Sequence, residues 1–218
     1  MGTEMFKLDG KVAMIPGGSG GIGSALALGV CEAGAQVAVV DRDGDGLERS
    51  CSRIRAVGSE PLAVAADLTT KEGADRAVAE TVDHFGHVDV IINAVGGGAG
   101  KVLFDAQDYP QPEWDWIMEL NLRATLLPTQ AAVKAMIEAG NGGRVINISS
   151  VRAELGINAG YSAYVAAKGA IDSLTRQWAT EWAKHGINVN AISPTFIDTP
   201  QVAMLLDDPE FKSALLAR

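Results

Sequence analysis

Val12-Ala13-Met14-Ile15-Pro16-Gly17-Gly18-Ser19-Gly20-Gly21-Ile22-Gly23 passes from a short apolar run, through a glycine cluster, into a helix predicted from about Ile22 to Ala33. Read outward, the same alternation continues along the chain. Apolar runs at Gln36–Val40, Leu62–Ala66 and Val88–Ile92 predict strands, with helices at Leu47–Val57 and Lys71–His84 between them. After a glycine-rich loop, helical residues are predicted from about Glu113 to Glu138. Arg144–Ile148 and Ile187–Ile192 read as strands on either side of a last long helix, from Tyr164 to about His185. Strands that are apolar throughout and alternate with helices specify a parallel sheet buried on both faces. The fold class is therefore α/β, a single doubly wound sheet of Rossmann type, and residues 1–218 form one domain.

Open sheets of this kind bind ligands beyond the carboxyl ends of their strands, where the strand order reverses. The glycine cluster lies at such a place. Glycine permits φ > 0 and removes the Cβ atoms that would hold a pyrophosphate away. The helix start adds unpaired N–H groups and a positive dipole end. Asp41 follows the second strand directly, where a carboxylate accepts bonds from an adenosine ribose; a turn or helix-cap aspartate within Asp41-Arg42-Asp43-Gly44-Asp45 is the plainer alternative. Near the other end, Tyr164 and Lys168 are four apart and share one helix face. A free tyrosine titrates near 10, and a neighbouring cation lowers that value and suits the phenol to proton transfer.

The chain has 218 residues, 47% of them hydrophobic and 21% charged, enough for a full core. Its net charge of −9 argues against nucleic acid or an anionic membrane surface as partner. No apolar run is long enough to span a bilayer, and the first residues lack the apolar centre of a signal peptide. The two cysteines, Cys31 and Cys51, read as buried small hydrophobes rather than a disulfide. A cytoplasmic location follows. His84, His87 and His185 occupy three separate contexts at helix ends and read as surface residues, with no metal site among them. Trp178 and Trp182, four apart, read as a packing stripe.

Between Leu8 and Thr199 these residues resemble the classical short-chain dehydrogenase/reductase family. Its Thr-Gly-x-x-x-Gly-x-Gly turn is similar to the stretch holding Gly17, Ser19, Gly21, Ile22 and Gly23. Asp67-Leu68 resembles its adenine contact, Asn93-Ala-Val-Gly96 its Asn-Asn-Ala-Gly, and Asn121 its helix asparagine. Ser150 fits its serine and Tyr164/Lys168 its Tyr-x-x-x-Lys. Asn188-Val-Asn-Ala-Ile-Ser-Pro194, with Ile197 and Thr199, resembles the segment at its nicotinamide end. The resemblance implies a hydride-transferring enzyme that uses NAD, with Asp41 and Arg42 at the adenosine end. It implies Asn121, Ser150, Tyr164 and Lys168 as the catalytic group, Lys168 also holding the nicotinamide ribose. It further implies a small-molecule substrate and a homo-oligomer, dimer or tetramer, in which the Trp178 helix commonly meets its copy.

Several positions depart from the family pattern. Pro16 stands where threonine is usual, Ala94 and Val95 alter the next motif, and Thr195 follows Pro194 in place of glycine. Ser149 competes with Ser150 for the catalytic assignment, because the stretch to Tyr164 is one residue longer than common. The family continues past this point with a helix, a seventh strand and a glycine-rich close; Asp208-Pro209 is expected to start a helix, and a continuation beyond Arg218 is expected. Leu126-Leu-Pro-Thr-Gln130, Glu154-Leu-Gly156 and Thr199-Pro-Gln201 look similar to relatives acting on sugar acids and polyols, gluconate dehydrogenases among them. Arg152 and Glu154 stand near the serine, where they would read hydroxyls or a carboxylate, or simply face solvent. A non-sugar ketone or ketoacyl substrate is the alternative within the same chemistry, and a cofactor-binding sensor or inactive paralogue the alternative outside it.

Overall fold

The computed structural model describes residues 3–199 and Ser213. Strands β1 (Val12–Pro16), β2 (Gln36–Asp41), β3 (Leu62–Ala65), β4 (Val90–Asn93), β5 (Gly143–Ile148) and β6 (Ile187–Ile192) form one sheet in the order β3-β2-β1-β4-β5-β6. Every pairing is parallel. The order reverses between β1 and β4, so their carboxyl ends open a crevice. The doubly wound sheet is as expected. The helix start expected at Asp208-Pro209 lies outside the described residues.

Successive strand side chains feed opposite layers. Met14, Val40, Ile91 and Val145 pack against α3 (Lys71–Phe85), α5 (Ala124–Ala139) and Trp178 of α6 (Ser162–Trp182). Their neighbours Ala13, Ile15, Val39 and Ile92 pack against α1 (Gly21–Glu32) and α2 (Gly44–Arg55). Burying one such Val or Ile contributes about 1.5–3 kcal/mol, which is why these strands read as unbroken apolar runs. Cys31 and Cys51 are free and buried in the second layer. Trp178 and Trp182 stack with centroids 5.1 Å apart.

Helix ends follow the local chemistry. Asp43 caps α2 by accepting from Gly46 N at 3.1 Å, and Thr70 caps α3 by accepting from Gly73 N at 3.1 Å. Gly86 closes α3 and Gly140 closes α5 in the left-handed conformation. The helical stretch expected from about Glu113 to Glu138 is present, with an irregular turn inside it. It consists of α4 (Gln111–Met118), a π-helical turn at Glu119–Arg123, and α5. The Asn121 side chain donates to the Ile117 carbonyl at 3.0 Å, taking the acceptor that a regular helix reserves for a backbone N–H.

His87 is partly exposed and is tied to a buried neighbour. Its Nε2 lies 2.9 Å from Asp89 Oδ2, and Asp89 additionally accepts from Val12 N at 2.9 Å and Lys11 Nζ at 3.1 Å. This cluster ties the start of β1 to the lead-in of β4. Burial by itself would raise the Asp89 carboxyl; the Val12 N–H, Lys11 and His87 together hold it below the ordinary carboxylate range. A depressed folded value stabilises above the unfolded value of about 3.9 and is lost as pH falls through the folded one. Asp89→Asn is therefore expected to cost about 1–3 kcal/mol at pH 7. In urea denaturation the gap from wild type should narrow near pH 3; an unchanged gap would assign the effect to packing rather than charge.

Candidate active site

At the β1–β4 crevice the chain comes together backbone to backbone. Gly17 has φ +77°, and a Cβ there would stand 2.5 Å from Val95 N; a Cβ on Gly23 would stand 2.0 Å from Gly17 O. Neither site accepts a side chain, so the turn after β1 and the segment after β4 form one surface. Unlike α2 and α3, α1 has no side-chain cap and no acid in its first turn. Its leading N–H groups face the crevice rather than a neighbour.

The crevice has two adjoining parts that share Ser19, Gly20 and Ala94 through Gly96. One, a cavity of ≈ 320 Å³, runs from Gly21, Ile22 and Gly23 to Ser150, Tyr164 and Lys168, with Pro194 and Thr199 on its rim. The other, ≈ 220 Å³, is lined by Gly17, Asp41, Arg42, Asp67 and Leu68. Asp41 is oriented by backbone donors: Oδ1 accepts from Arg42 N at 2.7 Å and Asp43 N at 3.2 Å, and Oδ2 from Ser19 N at 3.3 Å. Capping of α2 falls to Asp43, so Asp41 is not the helix cap that its sequence context also allowed. Thr69 bonds Asp67 through Oγ1 at 2.7 Å and N at 2.9 Å; these bonds, with Arg42 nearby, hold that carboxyl below its usual range.

At the far end Ser150, Tyr164 and Lys168 converge. The Tyr164 hydroxyl is pushed up by burial, and a hydrogen bond with Ser150 offsets part of the rise. Ser150 Oγ also accepts from Arg152 N at 3.2 Å. Ser149 also lines the cavity but donates to the Lys168 carbonyl at 3.4 Å, whereas Ser150 is the serine bonded to Tyr164. Lys168 is 3% exposed; its Nζ donates to Ile148 O at 2.8 Å and lies 5.6 Å from the Tyr164 ring centroid. Burial lowers its pKa to about 8, against a smaller opposing pull from Asp172. The expected lowering of Tyr164 by Lys168 is not what the structure shows. Burial dominates both groups, and the ammonium is engaged by a carbonyl.

Asn121 lies beneath this end, fully buried, and clamps Gly97 by donating to its carbonyl at 3.1 Å and accepting from its N–H at 2.9 Å. Two expected contacts do not line the crevice. Asn93 is 1% exposed and donates to Thr129 Oγ1 at 2.7 Å and Asn147 Oδ1 at 2.9 Å. Asn147 in turn donates to Thr175 Oγ1 at 2.9 Å, so this chain of polar groups joins α5, β4, β5 and α6 below the site. Ile197 is 44% exposed and also lies off the lining. Arg152 Nη1 reaches the Leu155 and Gly156 carbonyls at 3.4 and 3.3 Å, and Glu154 is exposed. Sequence reasoning missed Arg49, which lines the larger cavity, and Asn147, which an apolar strand pattern conceals.

A family model described as short chain dehydrogenase matches residues 11–210. The 2-dehydro-3-deoxy-D-gluconate 5-dehydrogenase of Escherichia coli (strain K12) is 36% identical over 217 residues, covering 98% of this chain and 82% of that protein. The NAD-dependent glycerol dehydrogenase of Listeria innocua serovar 6a is 38% identical over 194 residues, 89% of this chain and 73% of its own. Among solved structures, NAD+-bound xylitol dehydrogenase superposes with a TM-score of 0.83 at 32% identity, covering 87% of this chain and 72% of that one.

The buried lysine has a consequence for stability. Its folded pKa, about 8, lies below the ordinary lysine value of 10.5. The folded state therefore carries the cost of a buried ammonium below about 8, and the cost is relieved as pH rises toward 10.5. Lys168→Met is expected to melt slightly higher than wild type at pH 7, by roughly 2–4 °C, once the unpaired Ile148 carbonyl is allowed for. The difference should shrink as the melts are repeated up to pH 10; a difference independent of pH would remove the buried charge from the account.

Proposed function

This chain belongs to the short-chain dehydrogenase family, and from that premise we propose that it transfers hydride between NAD(H) and a sugar acid or polyol, with Tyr164 as general acid–base. Membership makes it an oxidoreductase that interconverts an alcohol and a ketone. The finer reading is carried by the convergence of Ser150, Tyr164 and Lys168 at one end of a crevice whose other end holds Asp41. Relatives named for a gluconate derivative, glycerol and xylitol support the substrate class.

The crevice fits a dinucleotide on its own chemistry. The clashes at Gly17 and Gly23 keep its floor free of side chains, and the uncapped start of α1 suits phosphates. Gly17, Ser19, Gly21, Ile22 and Gly23 would hold the phosphates; Asp41, Arg42, Asp67 and Leu68 the adenosine; Gly96, Pro194, Thr199 and Lys168 the nicotinamide end. When bound, the nicotinamide supplies or accepts the hydride.

Burial keeps the Tyr164 phenol protonated at neutral pH, the form that donates to a carbonyl oxygen. In the oxidising direction the same oxygen takes the alcohol proton. Ser150 shares the Tyr164 hydrogen bond and is placed to hold the substrate oxygen as charge develops on it. Lys168, held by the Ile148 carbonyl with its Nζ 5.6 Å from the Tyr164 ring centroid, would hold the nicotinamide ribose. Asn121 acts through the backbone, fixing Gly97 and so the wall opposite Tyr164.

Tyr164→Phe is expected to lower turnover at least about a hundredfold, the usual scale of acid–base help, while the NADH dissociation constant stays within twofold. Turnover within tenfold of wild type would sink the assignment.

Cofactor choice rests on Asp41. A carboxylate at the ribose 2′-hydroxyl would face a 2′-phosphate at about 4 Å with a repulsion of roughly 4 kcal/mol at an effective dielectric near 20. Arg42 lies close enough to Asp67 to lower its pKa, which favours a place by the adenine over one by the phosphate. We expect kcat/KM to favour NAD over NADP by at least about tenfold after screening, and Asp41→Ser to erase the preference. Equal efficiencies in the wild type would take Asp41 away from the ribose.

A further inference from the structure

Among the described residues, the larger cavity is lined by two charged side chains, Lys168 at one end and Arg49 at the other, and by no carboxylate, although the chain as a whole carries a net charge of −9. Lys168 is accounted for by the site. Arg49 is not, and its position is built rather than incidental. One face of α2 is pressed onto the glycine turn. Ser50 Oγ donates to Gly18 O at 2.8 Å, and a Cβ on Gly46 would stand 2.6 Å from Ser19 Cβ. One turn further, Arg53 Nη1 donates to Ser24 Oγ at 3.1 Å. Arg49 is three residues after Gly46 and four before Arg53, and so belongs to the same face. The missing side chain at Gly46 brings that face close enough for Arg49 to reach the cavity beside Ser19 to Gly23.

Its present partner does not compete strongly. Arg49 Nη2 is 3.5 Å from Asp43 Oδ2, in a pair whose side chains are 70% and 53% exposed. Asp43 already caps α2 through its other oxygen. Exposed pairs of that length contribute little, and the guanidinium can leave this one without unsettling the helix cap.

We propose that Arg49 anchors the cofactor's pyrophosphate, meeting it from the α2 side while the start of α1 meets it from below. The proposal rests on the dinucleotide reading of the crevice. The pyrophosphate is preferred over a ribose phosphate because Arg49 lines the part of the crevice that holds Gly21, Ile22 and Gly23, whereas Asp41, Arg42 and Asp67 line the other. A guanidinium offers several donors in a planar fork that matches phosphate oxygens, which a lysine does not reproduce.

Direct binding separates the outcomes. NADH, NADPH, ADP-ribose and adenosine are titrated calorimetrically, or by displacement of NADH fluorescence, into wild type, Arg49→Gln and Arg49→Lys, with thermal melts confirming that each variant is folded. Arg49→Gln is expected to weaken NADH and ADP-ribose by about tenfold or more, the scale of a lost charge-assisted contact. Adenosine, which has no phosphate, should bind unchanged, and Arg49→Lys should fall between. Binding of NADH should also lose part of its salt dependence in Arg49→Gln. ADP-ribose affinity within twofold of wild type would overturn the proposal. So would an equal loss for adenosine, which would mean a displaced α2, or a loss confined to NADPH, which would move Arg49 to a 2′-phosphate. If the wild type binds neither NADH nor NADPH, the dinucleotide reading itself fails, an outcome distinct from these.

Discussion

The contact of Gly17 with the Ala94–Val95 peptide is the constraint on which the rest of the molecule depends. Two parallel strands diverge at the sheet's switch point, and their following segments would separate if either carried a side chain there. Without a Cβ, the two backbones close to contact, and Gly23 settles on the Gly17 carbonyl. This close packing sets the start of α1, sets where the segment after β4 runs, and so sets the distance between the Asp41 end of the crevice and the Tyr164 end. A methyl group would stand well inside the van der Waals limit of backbone atoms that cannot turn aside. Pro16, one residue earlier, keeps its strand geometry and pairs with Val40 of β2.

Below this seam the structure spends polar groups where an apolar core would be simpler. Thr129, Asn93, Asn147 and Thr175 form a buried hydrogen-bonded chain across four elements. These bonds tie α5 and α6 to the sheet, although the buried Asn93 Oδ1 has no partner among the described residues. Asn121 does the same for the wall above by holding Gly97 at both backbone atoms. Between these two braces stands Lys168, an ammonium almost removed from water. Its burial opposes stability and serves the proposed chemistry, the usual trade at a functional site.

Much of this is legible in the sequence alone. Six apolar runs and the glycine cluster give the parallel sheet and its ligand-binding edge, because strands buried on both faces leave no other pattern. Asp41, Ser150, Tyr164 and Lys168 were readable from spacing and from the family resemblance, and the structure brings them to one crevice. What escaped reading depends on side-chain direction. Asn93 lies in a motif associated with the cofactor, yet the pleat turns it into the polar chain rather than the crevice. The π-helical turn at Asn121 has no periodicity signal, since one added residue in an otherwise helical run shifts the pattern only locally. Arg49 is an ordinary helix arginine in sequence; only the absent side chain at Gly46 shows that its face lies beside the glycine turn.

The two layers flanking the sheet also differ in what they let an experimenter see. Both cysteines lie in the α1–α2 layer, free and buried, whereas the stacked Trp178–Trp182 pair belongs to the α3–α5–α6 layer. Thiol labelling thus reports opening on one side of the sheet, and the emission of that indole pair registers opening on the other. Coincident kinetics would mean that the sheet and its two coverings come apart as one cooperative unit. Labelling that runs ahead of the fluorescence would identify the glycine-turn side, where the cofactor crevice begins, as the part that breathes first.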